Sequence, residues 1–238
     1  FCRRDFQRNG VDTRFVRTAK GCDTNFCVCI SAMEGGTRCY IGKLGAIPPV
    51  AVQDLDEETI RSAAFLHLSD ITPATLKAIE YVHASGGLVV MDADRYSEAI
   101  AGHLDVIDVF IGSEYFHKGF FGAVDESRLE SDMLALRDHG PSIAITTLGS
   151  CGSAGADERG FFRQAAYRDI HLVDTTGAGD VFHGAWLVGM LHHWDLRTVA
   201  RFATAVSALK CMGLGGRGPI PTMPQVAEFL EQRGQPLP

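Results

Sequence analysis

The stretch that most constrains this chain runs from His171 to Met190 and reads HLVDTTGAGDVFHGAWLVGM. An apolar run (Ile170, Leu172, Val173) is cut by Asp174, Thr175, Thr176 and two glycines, then resumes with Val181, Ala185, Val188 and Leu191 near helical spacing. The pattern predicts a strand, a tight glycine turn and a helix start. Gly177 and Gly179 let the backbone turn sharply and approach a ligand, while the unpaired amides of a first helical turn point outward with the positive end of the helix dipole. Such a turn is suited to holding an anion.

Asp180 falls in that first turn. A bare carboxylate would repel a bound phosphate unless it had proton or metal work to do, which favours chemistry over mere holding. A base here takes the proton of a substrate hydroxyl as its oxygen attacks the terminal phosphate of a nucleotide, and the turn amides stabilise the developing charge. The expected reaction is phosphoryl transfer to an alcohol. Two other phosphate motifs fail on inspection. A dinucleotide fingerprint needs glycine three residues after Gly179, where Phe182 stands, and a Walker loop needs a lysine that the span between Lys118 and Lys210 lacks.

Composition fits that chemistry. The 238 residues are 46% hydrophobic and 21% charged, which suits one α/β domain with a sizeable core. The net charge of −7 comes with scattered basic residues, so no footprint for nucleic acid or an anionic membrane is expected. Neither a membrane span nor a signal peptide is evident, and the expected setting is the cytoplasm. Seven cysteines form no CxxC pair, and Cys27 and Cys29 read as packed free thiols on one strand face. The nine histidines read as dispersed, with His192-His193 a solvated helix end.

At Asp174-Thr175-Thr176-Gly177-Ala178-Gly179-Asp180 the sequence resembles the ribokinase-like carbohydrate kinases, the PfkB family. The resemblance implies that Asp180 is the catalytic base and that the Gly177, Ala178 and Gly179 amides form the anion hole. The alternative is a capped helix after a strand with no ligand. It also implies a ribokinase-like α/β fold: a doubly wound, mostly parallel sheet flanked by helices, with a small β lid.

Taken in order, Phe1 to Gly10 reads as the last turns of a truncated helix closed by glycine, so the chain is expected to begin inside an element and to lack the family's first strands. Residues 11–47 change to short alternating runs at Arg14 to Arg17, Phe26 to Ile30 and Thr37 to Ile41, with Glu34-Gly35-Gly36 between the last two. This is the expected lid subdomain, which in similar kinases covers the sugar and sometimes pairs two chains; an edge hairpin is the other reading. Arg38 on it is a candidate substrate contact. Residues 48–238 are the expected kinase core. Helices at Asp54 to Ala64 and Pro73 to Ser85 alternate with strands at Phe65 to Leu68, Leu88 to Met91, Val106 to Ile111, Ile143 to Thr147 and Leu172-Val173. Strands separated by helices imply parallel crossovers, and polar groups after each strand gather on one rim, where open α/β sheets bind ligands.

Thr147-Leu148-Gly149-Ser150-Cys151-Gly152 resembles the family's nucleotide loop, which assigns Thr147, Gly149 and Gly152, with Thr175, to ATP; a plain turn is the alternative. Ser113-Glu114 stands where the family has Asn-x-x-Glu but departs from it, since Ile111 would be the asparagine if Glu114 is the glutamate. Magnesium would then be held mostly by phosphate oxygens and water, with Glu114 as the metal candidate or simply a solvated acid. Asp92 and Asp94 are candidates for sugar hydroxyls, though one of them could cap a loop. The helix from Val199 to Met212 closes in a glycine-rich loop that in similar kinases borders the adenine and often a monovalent cation, so Cys211, Gly213 and Gly216 are candidate lining residues and K+ a candidate ion. Pro224 to Arg233 reads as a last helix. The expected function is Mg2+- and ATP-dependent phosphorylation of a sugar or sugar derivative, with a homodimer through the lid allowed. The alternatives are a nucleoside kinase of the same fold and an inactive nucleotide- or sugar-binding regulator.

Overall fold

The computed structural model describes residues 1–31 and 38–238. The expected turn at Glu34-Gly35-Gly36 and the side chain of Arg38 lie outside the described residues. A short helix α1 (Cys2–Arg8) ends before Gly10, whose φ is +75°. Strands β1 (Phe26–Ser31) and β2 (Arg38–Lys43) follow, paired antiparallel with Val28 opposite Ile41. Aromatic and β-branched residues favour this pairing, yet Phe26, Val28, Ile30, Tyr40 and Ile41 remain exposed. No strand forms at Arg14 to Arg17, where Arg14 instead pairs with Asp12 at 2.7 Å and Arg17 with Asp54. Nor are the cysteines packed as expected: Cys27 is exposed, Cys29 is half-buried, and Cys211 alone of the seven is buried.

The remaining chain alternates helix and strand. It comprises α2 (Glu57–Arg61), β3 (Phe65–Leu68), α3 (Pro73–His83), β4 (Leu88–Ala93), α4 (Glu98–Ala101), β5 (Val109–Ser113), α5 (Glu114–Phe121), α6 (Leu129–Asp138) and β6 (Ile143–Thr147). Then come β7 (Ser153–Asp157), β8 (Gly160–Gln164), α7 (Ala178–Leu191), α8 (Leu196–Cys211) and α9 (Met223–Glu231). Caps set the helix starts. Asp56 accepts the Thr59 amide at 2.9 Å, so α2 begins after it rather than at Asp54. Thr72 accepts the Thr75 amide at 3.1 Å ahead of Pro73, which suits the first helical position.

Strands β3 to β8 form one six-stranded sheet in chain order, the first four parallel and the last two antiparallel. Helices cover both faces. Val89, Met91 and Phe110 face α3, α5 and α6, while Val90, Val109 and Ile111 face α7, α8 and α9. Residues buried on both faces explain why β4 and β5 are continuous apolar runs.

One expected strand of the sheet does not form. Leu172-Val173 is not a strand: both side chains are exposed, and the Val173 and Asp174 amides donate to the Cys211 carbonyl at 2.8 and 3.1 Å rather than to a sheet neighbour. The sheet is completed instead by β7 and β8, of which β7 hides its strand character in small residues. Gly155 must lack a side chain because the Phe162 ring lies 2.5 Å from where its Cβ would be.

Phe110 sits in the middle of this architecture, fully buried with its ring 4.8 Å from that of Phe116. Phe110→Ala is expected to cost about 3–5 kcal/mol through lost burial and a cavity. The measurement is the urea unfolding midpoint, which falls by the corresponding amount.

Candidate active site

Parallel pairing places the carboxyl ends of β3, β4, β5 and β6 on one rim, and the register puts Ser113 of β5 beside Thr147 of β6. The start of α7 completes that rim. Gly177 caps α7 with φ +81°, and a Cβ there would stand 2.4 Å from the Gly216 carbonyl oxygen, so the glycine is needed both for the turn and for the close approach. The Ala178 amide donates to the Thr175 carbonyl at 3.1 Å, whereas the Gly179 and Asp180 amides have no backbone acceptor among the described residues. Those two donors sit at the positive end of the helix, available to an anion.

The turn is held from behind by Asp174, which sequence reasoning passed over as part of the motif. Its buried carboxylate accepts the Thr176 amide at 2.9 Å, the Thr176 hydroxyl at 2.7 Å and the Gly215 amide at 2.8 Å. Burial pushes this carboxyl up, but those three donors and the nearby Lys210 ammonium outweigh it and hold the group well below the usual carboxylate range. Thr176 also meets the two-stranded sheet, its hydroxyl 3.2 Å from the Cys29 sulfur.

Asp180 is exposed on the rim, and its negative charge reaches Asp92 and His67. Here the structure gathers groups that looked dispersed. His183, one turn after Asp180 on α7, is buried; its Nε2 lies 3.3 Å from Asp92 Oδ1 and its Nδ1 3.4 Å from His67 Nε2. Burial keeps His183 neutral, with its pKa pushed down to about 3, and in its contact with His67 one ring nitrogen donates and the other accepts. Burial also raises Asp92 to about 6, helped by the charges of Asp180 and Asp94. The spacing of Asp180 and His183, three residues apart on one helix face, was the available signal. His67, inside a strand, gave none.

The other candidates take different places. Asp94 is exposed, 3.5 Å from Arg95, and lines a cavity of about 280 Å³ with Asp92, Ser69 and Asp70. Glu114 is exposed in the first turn of α5, where Ser113 caps the helix by accepting the Tyr115 amide at 2.9 Å. The Ser113 hydroxyl also donates to the Asp94 carbonyl, so it ties the start of α5 to the end of β4. Thr147 donates its hydroxyl to the Gly112 carbonyl at 3.3 Å. Gly149 and Gly152 have φ of +54° and +88°, and a Cβ on Gly152 would meet the Gln164 carbonyl at 2.0 Å. Cys211 is buried, with its carbonyl turned to the strand-like segment before Asp174. Gly213 packs on Pro219, and Gly216 on Gly177. A larger groove of about 490 Å³ lies at the opposite end of β6, against Ile143 and Trp194, away from these groups.

Comparison with known proteins identifies the family and the fold. Residues 1–223 match the model of the pfkB family carbohydrate kinases. The chain is 23% identical to the 5-dehydro-2-deoxygluconokinase of Clostridium perfringens, over 95% of this chain and 73% of that protein. It is 28% identical to the ATP-dependent ribose-1-phosphate kinase of Halopiger xanaduensis, over 97% of this chain and 76% of that one. A ribokinase II of E. coli, solved with ATP and Mg2+, superposes with a TM-score of 0.83 at 21% identity, over 96% of this chain and 78% of its own. The fold is therefore the ribokinase fold. Among the described residues no helix is long and apolar enough to cross a membrane.

Asp92 supplies a test of the site's electrostatics. A carboxyl whose folded pKa is raised from 3.8 to about 6 costs stability once pH exceeds that range, and costs nothing below it, where both states are protonated. Asp92→Asn is expected to raise the melting temperature at pH 8 relative to the parent protein, with the gain fading towards pH 4. A pH-independent difference would remove the buried-carboxyl account.

Proposed function

The chain belongs to the pfkB family of carbohydrate kinases and is an ATP-dependent kinase acting on a hydroxyl of a sugar or sugar derivative; from that premise we propose which residues carry the reaction. Asp180 is the base: it accepts the hydroxyl proton as the substrate oxygen attacks the terminal phosphorus and the bond to the ADP oxygen breaks. The observation that carries this is the position of Asp180 at the start of α7, beside free first-turn amides and facing Asp92 and His67. The Gly177, Ala178 and Gly179 turn stabilises charge developing on the phosphate. Thr147, Gly149, Gly152 and Thr175 border the triphosphate, and Cys211, Gly213 and Gly216 line the adenine side.

Asp92 and Asp94 hold sugar hydroxyls. Neutral His183 stands 3.3 Å from Asp92 without cancelling its charge. Magnesium, when bound with ATP, neutralises phosphate charge. Glu114 is the chain's offer to it, and a single exposed carboxylate suits an ion that keeps several waters and binds mainly to phosphates. The face of the two-stranded sheet that carries Cys29 turns to the Thr176 turn and covers the sugar, while the opposite, exposed apolar face of Val28, Ile30 and Ile41 suits packing on a second chain.

Asp180→Asn is expected to leave the fold and nucleotide binding intact while lowering turnover roughly a hundred- to ten-thousand-fold, the range for a lost general base. The measurement is ADP release from magnesium ATP with hexoses, pentoses, sugar acids and nucleosides as acceptors. An unchanged rate in the variant would sink the base assignment. ATP binding with no ADP formed on any acceptor would favour a binding regulator.

A further inference from the structure

The cation behind the anion turn is part of the chain. Lys210 is fully buried in the last turn of α8, the one such lysine or arginine among the described residues. An ammonium in that setting is tolerated only when it is paired and hydrogen-bonded. Its Nζ donates to the Asp174 carbonyl at 3.1 Å, and the ionised Asp174 carboxylate balances its charge. Helix α8 also grips the start of α7 directly, since the Ser207 hydroxyl donates to the Ala178 carbonyl at 2.9 Å.

These contacts bear on the soluble monovalent cation that the family resemblance allows. Such an ion needs several carbonyl oxygens that converge on a space no other cation occupies. In this protein the Asp174 carbonyl already takes Lys210 Nζ, and the Cys211 carbonyl already takes the Val173 and Asp174 amides. A second positive charge beside the ammonium would be repelled. The residues present do not fit a bound potassium ion.

We propose that Lys210 is a built-in monovalent cation, fixed behind the Gly177 to Gly179 turn, and that this protein needs no added K+. The ammonium is tethered, so its charge stands by the phosphate site at any salt composition. For the rate of the reaction, though not for ion binding, this inference rests on the kinase reading above.

The test compares the full chain with Lys210→Ala and Lys210→Arg in potassium chloride and in tetramethylammonium chloride at equal ionic strength. Melting temperature and ADP release are the readouts. For the parent protein both are expected to be equal in the two salts within error, and Lys210→Arg should resemble the parent. Lys210→Ala should melt lower in tetramethylammonium, regain about 2 °C or more with potassium, and recover at least part of any lost turnover. A parent protein stabilised or activated several-fold by potassium overturns the proposal, and that arm needs no variant to fold. So does a Lys210→Ala protein indifferent to the ion in both readouts. Absence of ADP release with ion-independent melting of the parent and potassium-dependent melting of Lys210→Ala would sink the kinase reading and leave the lysine assignment standing.

Discussion

The hydrogen bonds of the Asp174 carboxylate are what the rest of the site depends on. One buried acid ties the Thr176 backbone and hydroxyl to the Gly215 amide, and so joins the glycine turn to the loop after α8. Without it the close approach of Gly177 to the Gly216 carbonyl would have no fixed partner, and the first amides of α7 would lose their aim. A buried carboxylate is stable only with several donors, so the network is complete or costly. Its donors come from the turn and the loop, and the backbone carbonyl of the same residue takes Lys210 from the end of α8, which makes Asp174 the meeting point of three segments.

The sheet supplies the other half of the geometry. Four parallel strands end together and deliver His67, Asp92, Ser113 and Thr147 to one rim, while helices on both faces leave that edge as the place for polar chemistry. The electrostatics follow from burial gradients along it. Asp180 stands in solvent, Asp92 is half-buried and raised, and His183 is buried and neutral. Burial thus sets the protonation behaviour of Asp92 without any change of residue type.

Much of this was legible in the sequence, for reasons that particular residues make clear. Strands Phe65–Leu68 and Ile143–Thr147 are bounded as the apolar runs suggest, because continuous apolarity between turn residues has few other readings. The glycine turn and the helix starting at Ala178 were likewise evident from Gly-Ala-Gly. What the sequence concealed depends on contacts made at long range. β7 is written in Ser, Ala, Gly and Asp, and is a strand because β6 and β8 flank it. Leu172-Val173 has the composition of a strand, but the Val173 and Asp174 amides are captured by the Cys211 carbonyl. His67 and His183 meet only after the sheet and α7 have assembled, and Lys210 reads as an ordinary helix-end cation until its burial is known.

The contact between His67 and His183 joins positions 116 residues apart, and Asp92 enters the same group from between them. Nothing local holds these side chains together, so the site does not exist in any partly made sheet. Long-range closure of this kind is slow and late in folding, because loop entropy must be overcome before such contacts reward it. A ribosome-bound chain ending before α7 would hold all four parallel strands and still lack every acid–imidazole contact of the rim. The appearance of that cluster is in this sense a signal that β3, β4 and α7 have come together.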